Sequence, residues 1–290
     1  LEAFGVHGMI FFQRPMYWPA SMVGLCELEP KQKRCPRSHR MAQRFRLLTE
    51  INNLQLTDNT QSPPTPRRLT DSERAYVLDQ LQTKKDATFI QIANWIAKLP
   101  DSPPAESIQF NLQKGKRAGM KGMVTDAMLA SKKVLGESWY KRDEEQKTAI
   151  VELLLSIEHD EEQTVTILVE QYDFTTEQAN AAVSVNFPDG YLHLSKLALS
   201  ILLPHMEKGL VYQALDESNS ALNAAGYLRR DQLKKRLFDK LPRQDAFNCP
   251  LGDIPNPVVK RTLTELRRVV NCIIKEYNMP DDIHLEMARQ

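Results

Sequence analysis

The stretch RMAQRFRLLTEINNL, residues 40–54, carries the repeat that decides the fold class. Its apolar side chains recur every three or four residues, at Met41, Phe45, Leu48, Ile51 and Leu54. This spacing places them along one face of an α-helix, which turns once about every 3.6 residues. We therefore predict a helix over 40–54, with one buried face and with arginines around it.

The same reading extends along the chain from residue 69, where the helix formers Leu, Ala, Glu, Lys and Gln dominate. In LTDSERAYVLDQLQ, residues 69–82, Thr70 is the predicted N-cap and Glu73 follows three residues later, a capping-box pattern. Further helices are predicted at 88–99, 125–135, 143–158, 160–171, 175–184, 194–203 and 229–241. The expected fold class is therefore mainly α.

The composition is that of an ordinary soluble globular protein, with 42% hydrophobic and 26% charged residues among 290. The sequence contains no apolar run of about 18 residues, so no transmembrane helix is predicted. Four cysteines at irregular spacing indicate reduced thiols in a cytosolic protein rather than a disulfide framework. Because the first residue is Leu and not Met, the chain is expected to be an excised piece of a longer protein.

Two proline-rich stretches suggest where domains meet. NTQSPPTPRR, residues 59–68, is a polar break, and CPLGDIPNPV, residues 249–258, is an extended linker. We therefore divide the chain into an irregular basic segment at 1–68, a helical region at 69–248 and a linker, helix and strand at 249–290.

Residues 31–46 form a basic segment, although the net charge of the whole chain is only +1. The segment contains seven cations and no acid: Lys31, Lys33, Arg34, Arg37, Arg40, Arg44 and Arg46. One interpretation is a solvated surface. The other is a nucleic-acid contact, because phosphates neutralise such a cluster and arginine binds them with two hydrogen bonds.

A second basic stretch, QKGKRAGMKG at 113–122, is predicted to be a loop. It lacks the order of glycines and lysine that a P-loop requires, so it either contacts a sugar-phosphate backbone or is a plain surface loop. Cys35 and His39 have the spacing of zinc ligands, but no second pair completes a site. No nucleophilic catalytic set is indicated.

The C-terminal residues combine a helix and a strand. In VVKRTLTELRRVVNCIIKEY, residues 258–277, apolar side chains step by four and three residues along one stripe, and Pro257 marks the helix start. In DDIHLEMAR, residues 281–289, polar and apolar residues alternate, which predicts a strand with Glu286 on its polar face. Glu286 is either a ligand for a hard metal ion or an edge-strand glutamate facing water.

A family resemblance bears on this choice. PNPVVKRTLTELRRVVNCIIKEYNMPDDIHLEMARQ, residues 255–290, resembles the helix and strand of the second RuvC motif in type II CRISPR RNA-guided DNA endonucleases, the Cas9 family. The blocks at 10–15 and 23–54 resemble the segment that follows the bridge helix in compact, type II-C-like members. The blocks at 69–81, 110–122 and 192–215 resemble successive parts of the helical recognition lobe.

The resemblance implies a multi-helix recognition lobe that ends in one helix–strand element of an RNase H-like RuvC fold. It implies a bacterial, cytoplasmic and monomeric parent nuclease of CRISPR antiviral defence, which does not associate with membranes and depends on Mg²⁺ or, alternatively, Mn²⁺. Glu286 is then one catalytic, metal-binding carboxylate. This chain alone is expected neither to hold the metal tightly nor to cut DNA.

The implied partners are guide RNA (crRNA:tracrRNA or a single guide) and target DNA. The recognition lobe is expected to bind the guide and the guide–target heteroduplex through backbone and A-form shape. The basic segment 31–46 is then the expected contact to repeat-derived RNA. Two alternatives remain open: a stand-alone helical RNA-binding or scaffold module, and a protein-interaction domain without nucleic acid.

Overall fold

The structure is a computed structural model that describes residues 23–113, 115, 117–156, 160–227, 240–243 and 256–278. The described chain divides into two compact units. The first unit contains residues 23–24 and 34–192, and the second contains 25–33 and the part from 193 onward. The composition-based boundaries at 68 and 248 stay predictions.

Helices dominate both units, so the predicted fold class is confirmed. The first unit contains α1 (Arg40–Asn52), α2 (Asp71–Gln82), α3 (Phe89–Ile96), α4 (Val124–Leu129), α5 (Ser138–Lys141), α6 (Glu144–Leu155), α7 (Glu161–Tyr172) and α8 (Thr176–Val183). The second contains α9 (Lys196–Glu207), α10 (Ala221–Ala224) and α11 (Pro257–Tyr277). Short 3₁₀ turns lie at Ala105–Ser107 and Glu217–Asn219. No helix in these described ranges is long and apolar enough to cross a membrane.

Helix α1 confirms the prediction from the opening stretch and ends two residues before its last apolar position. His39 caps its start, with the ring Nδ1 accepting a hydrogen bond from the Met41 backbone N–H. Phe45, Leu48 and Ile51 are buried, as the spacing predicts, while Met41 is only half-buried. Asn53 caps the end of α1, with its side chain donating to the Thr49 carbonyl.

The predicted capping box at the start of α2 is confirmed. The Thr70 hydroxyl accepts from the Glu73 backbone N–H, and the Glu73 carboxylate accepts from the Thr70 backbone N–H. Thr88 and Gln91 form the same arrangement at the start of α3. These reciprocal bonds satisfy backbone donors that an α-helix leaves unpaired at its first turn.

The predicted extent of one helix is wrong. The prediction placed a helix at 125–135, whereas α4 ends at Leu129. The Leu129 carbonyl accepts from the Leu135 backbone N–H, and Gly136 adopts a positive φ of 58°. A tight turn therefore replaces the last predicted helical residues, because glycine tolerates the left-handed conformation that this turn uses.

Two small sheets, which the sequence analysis did not predict, lie in the first unit. Strands β1 (Gln55–Asp58), β2 (Pro66–Arg68) and β4 (Ile108–Phe110) form an antiparallel sheet in the order β2-β1-β4. Strands β3 (Asp86–Thr88) and β5 (Gly119–Lys121) form a second antiparallel pair. Strands of three or four residues are too short to show a reliable alternating pattern. For this reason strand β2 was not predicted within the Pro-rich stretch 59–68.

Two glycines let the second sheet lie close to its neighbours. A Cβ on Gly119 would lie 2.1 Å from the carbonyl oxygen of Ala87, and one on Gly122 would lie 2.1 Å from that of Lys84. Side chains do not tolerate such distances, so both positions require glycine. The close approach fixes the segment 119–122 against the end of α2.

A separate apolar core holds helices α6, α7 and α8 together. Trp139, Ile150, Leu168 and Ala179 are fully buried in it. Phe187, in the segment after α8, packs against this core and is half-buried. This packing matters for the site below, because it anchors the segment that follows Phe187.

In the second unit, α11 confirms the predicted helix from Pro257, and the Asn256 side chain caps it. Much of its apolar stripe is exposed among the described residues: Leu266 is 44% and Ile273 46% accessible. The Asn271 side-chain amide donates to the carbonyl of Leu241 and accepts from its N–H. Most of the predicted helix at 229–241, and the whole predicted strand at 281–289, lie outside the described residues.

Candidate nucleic-acid interface

A cavity of about 920 Å³ opens on the first unit between α1, the β3–β5 sheet, α4 and the segment 186–192. We call it the basic cavity, because five cationic and three acidic side chains line it. The cations are Arg37, Arg46, Lys85, Arg117 and Lys121. The acids are Glu50, Asp86 and Asp189. The lining therefore carries an excess of two positive charges.

Helix α1 presents one face to the basic cavity. Gln43, Arg46 and Glu50 are spaced by three and four residues, which places them on the same side of the helix. The opposite face carries the buried apolar residues of the core. The helical periodicity that predicted α1 therefore also places Arg46 at the basic cavity.

Arg46 is held by backbone carbonyl groups rather than by an acid. Its Nη2 donates to the carbonyl oxygens of Gly122 and Lys121, at 2.5 and 3.5 Å. Its Nε is buried without a partner among the described residues. Burial lowers the pKa of Arg46 against the weaker effect of Glu50. These hydrogen bonds orient the guanidinium. Because the carbonyl acceptors are neutral, they do not neutralise its positive charge.

Two other cations of the cavity lie beside acids. Arg117 donates from Nη2 to the Glu50 carboxylate at 2.7 Å and from Nε to the carbonyl of Gly119 at 3.2 Å. Lys121 lies opposite Asp86 in the register of β3 and β5. Both pairs join positions far apart in the sequence. The sheet pairing brings Lys121 to Asp86, and a side-chain contact with α1 joins Arg117 to Glu50.

The far wall of the cavity is the segment 186–192, which is tied to residues 35–38. Arg37 donates from Nε to the Tyr191 carbonyl at 3.3 Å, and its backbone N–H donates to Gly190 at 2.9 Å. The Ser38 hydroxyl donates to the carbonyl of Pro188. The guanidinium of Arg37 is therefore fixed at the cavity by a neutral acceptor.

Arg40, in contrast, points its guanidinium into the protein. Its Nε donates to both carboxylate oxygens of Asp126, at 2.9 and 3.2 Å, and its Nη2 donates to Glu144 at 2.7 Å. The side chain is only 11% accessible. Burial alone lowers the pKa of Arg40, but the two carboxylates outweigh it and raise the pKa. Arg40 joins α1 to α4 and α6.

The remaining predicted contacts are distributed between the two units. Lys31 and Lys33 are exposed on the loop 25–33 of the second unit, while Arg34 and Arg44 are half-buried in the first. Of the seven predicted cations, the structure brings Arg37 and Arg46 to the basic cavity. The other three cations of the cavity, which that prediction did not include, are Lys85, Arg117 and Lys121. The basic loop 113–122 was the sequence signal for the last two.

Glu286, the predicted catalytic and metal-binding carboxylate, lies outside the described residues. Within the described ranges, no group of three or more His, Cys, Asp or Glu side chains is arranged to hold a metal ion. The fit of Mg²⁺ to Glu286 and its neighbours therefore rests on the sequence alone.

The described part of the chain is mainly helical, and the lining of its basic cavity contains more cations than acids. Residues 18–210 match the family model described as the Cas9 alpha-helical lobe domain, so the chain belongs to the Cas9 alpha-helical lobe family. This confirms the family resemblance that the sequence indicated.

Two curated relatives give the scale of the likeness. The chain is 26% identical over 289 residues to the CRISPR-associated endonuclease Cas9 of Campylobacter jejuni, covering 98% of this chain and 26% of that protein. It is 22% identical over 281 residues to the CRISPR-associated endonuclease Cas9 1 of Streptococcus thermophilus, covering 93% and 23%. The chain thus spans about a quarter of the length of these relatives.

Solved structures confirm the fold. Campylobacter jejuni Cas9 in complex with sgRNA and target DNA aligns with a TM-score of 0.60 at 22% identity, over 93% of this chain and 32% of that one. Streptococcus thermophilus Cas9 in complex with the GGAA PAM aligns with a TM-score of 0.61 at 22% identity, over 93% and 24%. The chain therefore shares its fold with the aligned part of these Cas9 structures.

Proposed function

We propose that this chain binds guide RNA and the guide–target heteroduplex, as the helical lobe of an RNA-guided DNA endonuclease. The observation that carries the proposal is the family match over residues 18–210. Two further observations support it. The relatives are named CRISPR-associated endonucleases, and one solved relative is in complex with sgRNA and target DNA.

The geometry of the basic cavity suits a ribose-phosphate backbone. Arg37 and Arg46 are oriented by carbonyl oxygens, so little side-chain freedom is lost when a phosphate binds. Arginine in a fixed position binds phosphate oxygens with two parallel hydrogen bonds. Such contacts recognise the shape and charge of an A-form duplex and carry no base sequence.

The test is a salt titration of the chain with an RNA hairpin, using a DNA hairpin of the same sequence as control. The logarithm of the association constant should fall linearly with the logarithm of salt concentration, by roughly 0.7–0.9 per phosphate neutralised. The RNA hairpin should bind more tightly than the DNA hairpin, because duplex RNA is A-form whereas duplex DNA in solution is B-form. An RNA affinity that does not change between low and moderate salt would leave a protein-interaction domain as the better description.

We also propose that Glu286 contributes one metal ligand to the nuclease site of the complete protein. The support is its position in the stretch 255–290, which resembles the second RuvC motif. A bound Mg²⁺ pair would activate water and stabilise the leaving oxygen. The chain's own contribution is a carboxylate on the polar face of the predicted strand.

The matching experiment uses the complete nuclease with Glu286→Gln, and with Glu276→Gln as a control on the exposed surface of α11. Glu286→Gln should abolish cutting of the non-target strand and leave guide RNA affinity unchanged. Glu276→Gln should change neither. Normal nicking by Glu286→Gln would make Glu286 a surface residue and would favour the stand-alone RNA-binding or scaffold module.

A further inference from the structure

The basic cavity has an apolar floor that phosphate binding does not require. Val124 and Met128 on α4 form part of it, together with Phe187 and Leu192 from the far wall. A duplex that lies across the rim would leave this floor empty, because phosphates need only the cations. The floor therefore points to a ligand with an apolar or aromatic part below its charged part.

The floor is held in place by a buried polar network beneath it. The Gln43 side chain donates to the Thr125 hydroxyl at 2.6 Å and accepts from the Thr125 backbone N–H at 2.9 Å. The same hydroxyl donates to the Ser38 carbonyl at 2.7 Å. Since Thr125 follows Val124 directly, this network fixes the start of α4 against α1.

The far wall is anchored in a similar way. The Leu192 backbone N–H donates to the Cys35 carbonyl at 2.8 Å, and Phe187 packs against the core of α6, α7 and α8. Phe187 is thus an aromatic residue that lines the basic cavity and is held in place by the core. Aromatic side chains in such positions stack on nucleic-acid bases.

We propose that the basic cavity holds one unpaired nucleotide extruded from the bound RNA. Its base stacks on Phe187 over the floor of Val124 and Met128, and its flanking phosphates contact Arg37 and Arg46. The cavity volume of about 920 Å³ lies in the range of small-molecule pockets, roughly 300–1,000 Å³. Paired bases are stacked inside an A-form helix, whereas a bulged base reaches a protein pocket. This inference rests on the proposed RNA-binding function.

The experiment compares two RNA duplexes that differ only in one bulged nucleotide. The bulge is 2-aminopurine, whose fluorescence reports stacking, and the reference duplex contains 2-aminopurine in a base pair. The chain should bind the bulged duplex about 5- to 150-fold more tightly, the range expected from stacking one base on an aromatic ring. Binding should also quench the fluorescence of the bulged duplex.

Three variants separate the cavity from the rest of the surface. Phe187→Leu keeps apolar volume for folding and removes the ring, so the preference for the bulge should fall below about twofold, with unchanged affinity for the paired duplex. Met128→Trp fills the floor and should have the same effect. Tyr76→Leu, at a half-buried aromatic outside the cavity lining, should keep the full preference.

The outcomes distinguish this inference from the proposed function. If neither duplex binds, the RNA-binding function itself fails. If both bind equally, or if Phe187→Leu retains the preference and the quenching, RNA binding stands and the nucleotide pocket is refuted. If free 2-aminopurine riboside monophosphate binds as tightly as the bulged RNA, the cavity is a mononucleotide site, which also overturns the proposal.

Discussion

Glu73 has two structural roles at the start of α2. It completes the capping box with Thr70, and both of its oxygens accept hydrogen bonds from Arg67 on β2, each at 2.7 Å. The Glu73 side chain is 4% accessible. Burial raises the pKa of Glu73, but the bonds from Arg67 and Thr70 outweigh it, so the pKa lies below its ordinary value of 4.5.

This lowered pKa makes the stability of the first unit depend on pH. The folded state favours the charged carboxylate, so its contribution is fully present above the ordinary pKa and is lost as the pH falls through the lowered one. Glu73→Gln should cost about 1–2 kcal/mol at pH 7, the size of a helix cap and a charge-assisted bond. The cost should shrink below pH 4.5.

Urea unfolding between pH 3 and pH 7 measures this effect. Glu106→Gln serves as the control, since Glu106 is exposed on a 3₁₀ turn of the same unit. A Glu73→Gln cost that stays constant down to the lowest pH would show that shape, and not charge, holds the cap.

Helix caps such as Thr70 were predictable from the local sequence, whereas ion pairs such as Arg40–Asp126 were not. Thr70 and Glu73 are three residues apart, so the local sequence pattern is enough to predict the hydrogen bonds between them. Arg40 and Asp126 are separated by 86 positions, and no local pattern connects them. The prediction of Arg40 as an RNA contact used its charge alone, and the structure provides its intramolecular partners.

At the scale of elements, the contacts of Arg40 join three helices. Its guanidinium contacts Asp126 on α4 and Glu144 at the start of α6, while Asp126 is only 6% accessible. Arg40→Ala should therefore cost about 3–5 kcal/mol, because it leaves a buried carboxylate without its partner. Arg68→Ala, at an exposed arginine of the same unit, should cost much less.

The double variant Arg40→Met/Asp126→Leu separates charge from packing. It should recover most of the lost stability, since apolar residues of similar volume replace a buried ion pair at little net cost. Thermal unfolding measures the three variants. Equal losses for Arg40→Ala and Arg68→Ala would show that the contact between α1, α4 and α6 does not depend on the ion pair.

The longer helices were predictable from the sequence and the described strands were not, for a physical reason. The helices α6 to α8 span eight to twelve residues each, so two or three turns repeat the apolar period. The strands span three or four residues and owe their stability to partners elsewhere in the chain. The β3–β5 pairing places Lys121 opposite Asp86, the neighbour of Lys85. Sequence periodicity does not report such pairing, so the complete cavity could not be predicted from it.

For the whole molecule, the number of cations at the basic cavity should determine the salt dependence of RNA binding. Lys85→Ala and Lys121→Ala should each weaken binding at low salt and reduce the salt slope by about one. Lys98→Ala provides a matched control, because Lys98 is an exposed lysine of the same unit outside the cavity lining. Unchanged slopes in both cavity variants would place the RNA elsewhere on the protein.

The assignment of loop 25–33 to the second unit has a consequence for synthesis on the ribosome. The Cys26 thiol accepts a hydrogen bond from the Ser195 backbone N–H at 3.1 Å, across 169 positions of sequence. At roughly 5–20 residues per second, this partner is made about 10–30 s after Cys26. During that interval helix α1 and the sheets can already form. Because of the order of translation, the first unit is synthesised before Ser195. The Cys26 thiol of the nascent chain cannot accept this hydrogen bond until then.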